Sequence, residues 1–117
     1  MERERFEELV EKALRKLPAK FRNLLHNIAV IVEDRPPRGE NLLGWYQGVP
    51  LDQRGSYYGN VPPDVIIIYR LPIEALCTSD EDVEEKVRFV VLHEIGHYFG
   101  LDEDRLRDIE DELDLDF

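Results

Sequence analysis

Two histidines four residues apart, with a glutamate directly after the first, stand in the segment HEIGHYFGL, residues 93–101. On an α-helix, residues i and i+4 lie about 40° apart around the axis and about 6 Å apart along it. His93 and His97 would then project side by side, and both imidazoles could bind one zinc ion at about 2.0–2.1 Å. The spacing therefore predicts a zinc site if this segment is helical.

Glu94 lies one residue further, about 100° around the same helix. Its carboxylate could then lie beside the open position of the metal without binding the metal. Zinc lowers the pKa of its water towards about 7, and a carboxylate so placed can take the proton as the water attacks a carbonyl carbon. It can then pass that proton to the leaving amine. Glu94 is therefore the predicted general base of a hydrolase.

The alternative interpretation is a chance match to this pattern, with both histidines hydrogen-bonded inside an ordinary helix. Histidine and glutamate are costly to bury without a partner at the end of an otherwise apolar helix. A metal ion is one such partner, and solvent in a cleft is another. We favour the metal.

A third protein ligand is expected, because zinc in hydrolases usually has three such ligands and a water. Gly100 can adopt a left-handed conformation that turns the chain back towards the metal. Glu103 follows His97 by six residues, the position of the third histidine in HExxHxxGxxH proteases. Glu103 is the predicted third ligand, although it could also open a last helix capped by Asp102. The other candidates, in order, are Asp104, Glu110 and His26.

Metzincin proteases are excluded, because they need a methionine-containing turn and the only methionine is Met1. Only 17 residues follow Gly100. We therefore expect the chain to lack the lower half of a full-sized zinc protease, which walls the far side of the substrate cleft. A partner, self-association or an ordered substrate would then complete the cleft, and we expect little cleavage of a general substrate such as casein.

The elements that must position these residues alternate between helical and strand patterns. Apolar residues at helical spacing and their flanking signals predict helices over residues 2–17, 21–27, 80–99 and 103–113. β-Branched or aromatic runs between turn residues predict strands over residues 27–34, 42–47, 56–58 and 64–71. Residues 72–76 are a candidate single helical turn. These patterns together predict an α+β fold.

The helix predicted over residues 80–99 has a start signal, an apolar face and a stop signal. Thr78 and Glu81 fit a capping box, and Gly100 is a natural stop. Its buried face is predicted to contain Val83, Val87, Val90 and Val91, widened by Phe89 and Leu92.

Composition limits the kind of protein and its partners. The 117 residues predict one domain over residues 1–117. The net charge of −11 argues against nucleic acid. It would favour basic substrates or cations, but we favour the simpler interpretation of a well-solvated acidic surface. The single cysteine, Cys77, predicts a reducing compartment, and no apolar run approaches the roughly 20 residues that a membrane span needs. We therefore expect a soluble cytoplasmic protein that does not bind membranes.

Three stretches of the chain resemble a known family. LLGWYQGVPL with the downstream Arg54, PDVIIIYRLPI, and RFVVLHEIGHYFGLDEDRL are similar to the small bacterial "possible zinc metallopeptidase" family, also described as minimal zincins. This family has the pattern HExxHxxGxx followed by Asp or Glu. The resemblance implies zinc ligands at His93 and His97, a general base at Glu94 and an acidic ligand at Glu103. It also implies a zincin-like α+β fold, in which a small mixed sheet packs on an N-terminal helix and the HExxH helix, followed by a short C-terminal helix.

Other residues receive a structural interpretation before a functional one. The aromatic residues of the middle segment could line a substrate cleft or stabilise an oxyanion, but we favour half-buried core and turn positions for Trp45, Tyr46, Tyr57 and Tyr58. Tyr69 and Arg70 are weak candidates of the same kind. Cys77 has no base beside it and is expected to be a small buried residue.

The predicted function is hydrolysis of peptide bonds by a zinc-dependent peptidase acting on a peptide or protein substrate. Such enzymes bind an extended peptide along a strand edge, which residues 42–47 or 56–58 could supply. One alternative is a metal-binding structural or interaction module without hydrolytic activity. The other is a hydrolase of a non-peptide amide.

Overall fold

The computed structural model describes residues 1–23, 25, 27–48, 64–101 and 104. Five of its elements precede the third strand: α1 (Arg3–Arg15), α2 (Ala19–Arg22), β1 (Ile28–Glu33), a 3-10 turn (Pro37–Gly39) and β2 (Gly44–Gln47). The remaining elements are β3 (Asp64–Tyr69), α3 (Arg70–Ala75) and α4 (Asp80–Tyr98). The predicted α+β class is confirmed. The predicted strand over residues 56–58 lies outside the described residues, as does the last helix over residues 103–113 apart from Asp104.

The described sheet has the strand order β1-β3-β2, with β3 in the centre. β1 runs parallel to β3 in the register Ile28↔Asp64 to Glu33↔Tyr69. β2 runs antiparallel to β3, with Gly44 opposite Ile68. The mixed sheet that the family resemblance implies is therefore present.

The two faces of the sheet differ because side chains alternate along a strand. Ile66 and Ile68 of β3 are fully buried in the core, and Gly44 and Tyr46 of β2 pair with Ile68 and Ile66 on the same face. Ile67 and Tyr69 therefore point to the opposite face. Their register partners on the neighbouring strands point to the same face: Ile31 and Trp45 beside Ile67, and Glu33 beside Tyr69. The helices α1 and α4 complete the core on the first face.

The amphipathic pattern of α1 buries one stripe of the helix, as predicted. Its buried residues are Phe6, Leu9, Val10 and Ala13, and Leu17 follows in the same cluster. On α4 the buried valines are the four predicted, Val83, Val87, Val90 and Val91. From Val90 to Tyr98 only His93 and His97 are not fully buried, so this half of α4 is enclosed on nearly all sides.

Several predicted bounds are displaced: α2 spans Ala19–Arg22 instead of residues 21–27, and β2 begins at Gly44 instead of residue 42. Helix α4 begins at Asp80, as predicted, but with a different cap. The N-cap of α4 is Ser79, whose hydroxyl accepts from the Asp82 amide at 3.1 Å, and not Thr78. The Asp82 carboxylate, and not that of Glu81, accepts from the amide and hydroxyl of Thr78, the residue before the N-cap. Both Thr and Ser satisfy the cap pattern, and the sequence alone does not separate them.

The strand predicted over residues 64–71 ends at Tyr69, because α3 already begins at Arg70. Pro72 lies in the first turn of α3, where its missing amide hydrogen breaks no helical hydrogen bond. Arg70 pairs with Asp34 at 3.2 Å and with Glu74 at 3.0 Å, which fixes this helix start against the end of β1.

An ion pair between Lys12 and Glu84 joins α1 to α4. The hydrogen bond from Lys12 is the main cause that lowers the pKa of Glu84, partly opposed by burial. A carboxyl group whose pKa is lower in the folded than in the unfolded protein stabilises the fold at pH values above its ordinary pKa, which is about 4.3 for glutamate. This stabilisation is lost as the pH falls through the lower pKa of the folded protein.

We expect Lys12→Met to lower the free energy of unfolding by about 0.5–1 kcal/mol at pH 7, because both side chains are partly exposed. The difference between wild type and variant should vanish at acidic pH, where Glu84 is protonated in both. Urea unfolding at a series of pH values measures it, and Lys86→Met on the same helix α4 is the matched control. A pH-independent difference would contradict this account of the pair.

Candidate metal centre

The HEIGH segment occupies the last turns of α4, which ends with Phe99 as its C-cap. Gly100 has φ +82°, and its amide donates to the carbonyl of His97 at 2.9 Å. The amide of Leu101 donates to the carbonyl of Gly96 at 3.1 Å. This pair of bonds is a Schellman motif, for which a left-handed glycine is the preferred residue. The predicted glycine stop is confirmed, and it turns the chain three residues after His97.

The two histidine side chains meet on one side of α4. Their Nε2 atoms lie 3.2 Å apart, and their rings are nearly perpendicular with centroids 4.8 Å apart. Two nitrogens on one tetrahedral zinc at 2.0–2.1 Å are about 3.3–3.4 Å apart. The separation of the nitrogens and the chemistry of the donors therefore fit a zinc ion held by His93 and His97.

The same distance also fits a direct hydrogen bond between the rings, with one nitrogen donating its hydrogen to the other. The two arrangements differ in protonation, because zinc needs a lone pair on both Nε2 atoms and the hydrogen bond needs a proton on one of them. Zinc would therefore replace this contact between the rings and cannot coexist with it.

Glu94 lies deeper in the structure than the histidines and is only 6% exposed. Gly44 of β2 lies directly against it: a Cβ atom built on Gly44 would be 3.0 Å from Oε2 of Glu94 and 2.8 Å from Cγ1 of Val90. β2 and α4 thus approach each other so closely that only a glycine fits. The absence of a side chain at residue 44 leaves room for the Glu94 carboxylate at this point.

Sequence reasoning did not single out Gly44 as a site residue. A glycine inside a strand does often mark the close approach of another group, and Gly44 within LGWYQG fits that pattern. The partner in such an approach lies 50 residues away in the sequence, so the pattern alone does not name it.

We expect Gly44→Ala to displace Glu94 and Val90, because the added methyl group has no room. The free energy of unfolding should fall by about 1–3 kcal/mol. Any hydrolytic activity that depends on Glu94 should fall by about 10- to 100-fold, since small displacements of a reacting group have effects of that size. Gly39→Ala is the control: Gly39 has φ +68° and open space around it, so alanine there should affect stability but not activity. Equal activity losses in both variants would contradict the role of Gly44.

Aromatic contacts fix the last turn of α4 beside the histidines. The ring of Tyr98 is fully buried and packs edge-on against Tyr46 of β2, with centroids 6.3 Å apart. Phe99 packs against Phe21, with centroids 5.4 Å apart. The Tyr46 hydroxyl donates to Oδ2 of the buried Asp64 at 2.7 Å. These contacts hold the rotation of α4 about its axis, and therefore the direction of His97.

The predicted third ligand lies outside the described residues, because Glu103 is not among them. The alternative Asp104 is described and exposed. Within the described part of the chain, no group of three His, Cys, Asp or Glu side chains is arranged to hold a metal ion. Asp102, Glu110 and His26 are likewise outside the described residues.

Comparison with known families bears on this geometry. The profile of the zincin-like metallopeptidase family matches residues 25–113, about three quarters of the chain, including β1, β2, β3, α4 and the HEIGH segment. The chain belongs to the zincin-like metallopeptidase family. No curated protein matches the chain significantly.

Membership of the zincin-like metallopeptidase family indicates a hydrolase of the metallopeptidase type, and such proteins typically bind zinc. This agrees with the donor set of His93 and His97. None of the helices in the described residues is long and apolar enough to cross a membrane.

The other residues considered as site candidates in this zincin-like protein make mainly structural contacts. Tyr46 is half-buried against the core, as expected, whereas Trp45 is 47% exposed on the sheet face away from α4. Arg70 is engaged in ion pairs with Asp34 and Glu74. Cys77 is only partly buried, and burial is the main cause that raises the pKa of its thiol. Tyr57 and Tyr58 lie outside the described residues.

Proposed function

We propose that the protein is a zinc-dependent peptidase whose metal is held by His93, His97 and a carboxylate, with Glu94 as general base. One observation carries the proposal: the Nε2 atoms of His93 and His97 lie 3.2 Å apart, and Glu94, the residue after His93, has a buried carboxylate. Family membership supports the same chemistry. Glu103 remains our candidate for the third ligand, with Asp104 as the alternative.

Zinc, when bound, would supply a Lewis acid that makes water acidic enough to be deprotonated near neutral pH and that polarises a carbonyl group. His93 and His97 would present their Nε2 lone pairs to it. Glu94 would accept a proton from the attacking water and later give that proton to the leaving amine. Because Glu94 is only 6% exposed and lies against Gly44 of β2, its carboxylate is confined before the substrate binds.

The proposed substrate is a peptide or protein, and the net charge of −11 favours a basic one over an acidic one. β2 lies at one end of the sheet within the described part of the chain and packs on α4 through Gly44, so its outer edge is the candidate strand for binding an extended peptide. A partner or a second copy of the chain could complete the cleft. We place the protein in the cytoplasm, whose reducing conditions suit its single cysteine.

Zinc-dependent cleavage of a peptide library tests this proposal. The metal-free protein should be inactive, and one equivalent of zinc should restore cleavage, with products identified by mass spectrometry. Lysine-containing peptides should be enriched among those cleaved. A zinc-loaded protein that cleaves no peptide amide would contradict the proposal.

The second candidate function is a metal-binding structural or interaction module. The convergence of the two histidine Nε2 atoms favours it, because a metal held there could stabilise the end of α4 without any chemistry. Under this function His93→Ala lowers the melting temperature in the presence of zinc, while Glu94→Gln changes no measured reaction. Zinc-dependent hydrolysis that requires Glu94 would exclude it, and a non-peptide amide substrate would show itself as hydrolysis of simple amides without peptide cleavage.

A further inference from the structure

The sheet face that points away from α4 carries a groove of about 470 Å³. Trp45 and Ile67 lie side by side in its lining, because they are register partners on β2 and β3. Glu33 and Tyr69 are register partners on β1 and β3 and line the same groove one pair further along. The loop between β1 and β2 closes one side with Glu40. This groove is separated from the histidines by the thickness of the sheet.

Two large apolar side chains are exposed along this face of the sheet. Trp45 is 47% exposed, and Ile31, which pairs with Ile67, is 41% exposed. Tyr69 is only 3% exposed and forms the floor of the groove. Exposed tryptophan beside a concave apolar surface is characteristic of binding sites for other molecules.

The charges around the groove favour a cation. Two carboxylates, Glu33 and Glu40, line it, against one guanidinium from Arg35. Burial is the main cause that raises the pKa of Tyr69, and the carboxylates of Glu40, Glu33 and, from α4, Glu94 raise it further. The net charge of −11 adds to this attraction at longer range and opposes the docking of a second copy of the chain.

We propose that this groove binds a lysine or arginine side chain of an extended basic polypeptide segment, with the cation on the face of Trp45 and with Glu33 and Glu40 as its counter-charges. An aromatic face next to carboxylates attracts a cation through both the ring quadrupole and the charges. The apolar part of the same side chain would lie along Ile67. Binding here needs no metal, so it is independent of the function proposed for the histidines.

Tryptophan fluorescence tests the proposal directly, because Trp45 is the only tryptophan in the chain. The probe is the capped pentapeptide Gly-Lys-Gly-Lys-Gly, compared with the same peptide carrying norleucine in place of lysine. We expect a saturable change of Trp45 emission with the lysine peptide and at least about fivefold weaker binding of the norleucine peptide.

Variants distinguish recognition of lysine in the groove from attraction by the net charge of the protein. The double variant Glu33→Gln/Glu40→Gln should weaken binding of the lysine peptide by about fivefold or more. Glu85→Gln/Glu81→Gln is the matched control, because it removes two exposed carboxylates from α4, on the other side of the sheet. It should change binding by less than about twofold, as should His93→Ala. Circular dichroism checks that each variant is folded.

Four outcomes would overturn the proposal. Equal weakening in both double variants would show attraction by net charge alone. Equal binding of the norleucine peptide would show an apolar groove without charge recognition. Loss of binding in His93→Ala would place the peptide at the histidines. Emission that changes with protein concentration in the absence of peptide would identify a second copy of the chain as the occupant.

Discussion

Glu94→Gln should lower zinc-dependent peptide hydrolysis by about 10²- to 10⁴-fold, because an amide cannot accept the proton of the attacking water. The substitution preserves size, so it should fit the buried position beside Gly44 that the carboxylate occupies. Zinc content should remain at the wild-type level, since Glu94 is not a proposed ligand. Steady-state hydrolysis of a peptide found in the library screen measures the loss, with kcat expected to fall far more than KM rises.

Glu85→Gln is the control for this variant, because it makes the same chemical change at an exposed residue of the same helix. It should keep wild-type activity. Unchanged activity in Glu94→Gln, together with normal folding, would remove Glu94 from the mechanism and favour the module without hydrolytic activity.

His97→Ala should weaken zinc binding by at least about 100-fold, since it removes a direct ligand and even outer hydrogen-bond partners contribute 10- to 100-fold. At a zinc concentration 100 times its dissociation constant, the wild-type protein should be stabilised by about 2.7 kcal/mol, and the variant should lose most of this stabilisation. The measurement is chemical unfolding with zinc and with chelator, for both proteins. Because each protein is compared with itself, with zinc and with chelator, any effect of the substitution on stability that does not depend on zinc cancels.

His26→Ala is the matched control for the metal site, because the chain contains three histidines and His26 is the one outside the HEIGH segment. It should retain the full stabilisation by zinc. If His26→Ala and His97→Ala lose the same stabilisation, His26 is a ligand as well, and Glu103 as third ligand is wrong.

Local signals were sufficient to predict α4 and the position of the histidines within it. A polar cap before Asp80, valines at helical spacing and Gly100 after the last turn each mark one part of that helix, and together they placed its ends within one residue. The i, i+4 spacing of His93 and His97 then follows from helix geometry alone. For this reason the close approach of the two imidazoles could be predicted without knowledge of the sheet.

Contacts between distant segments could not be predicted in the same way. The space at Gly44 has meaning only when β2 lies on α4, and the exposure of Trp45 depends on which face of β2 meets the helix. A strand of four residues, half of them aromatic, does not show which of its faces is buried. The strand predicted over residues 64–71 extends two residues past the end of β3, because Pro72 is typical of a strand end but is also tolerated in a first helical turn.

The most direct test of the central claim is a crystal structure of the zinc-loaded protein with an anomalous difference map recorded at the zinc edge. We predict one strong peak within about 2.0–2.1 Å of Nε2 of both His93 and His97, with a carboxylate oxygen as a third ligand and Glu94 close by but not bound. A peak elsewhere, or no peak beside intact His93 and His97 rings that remain in contact with each other, would contradict the claim.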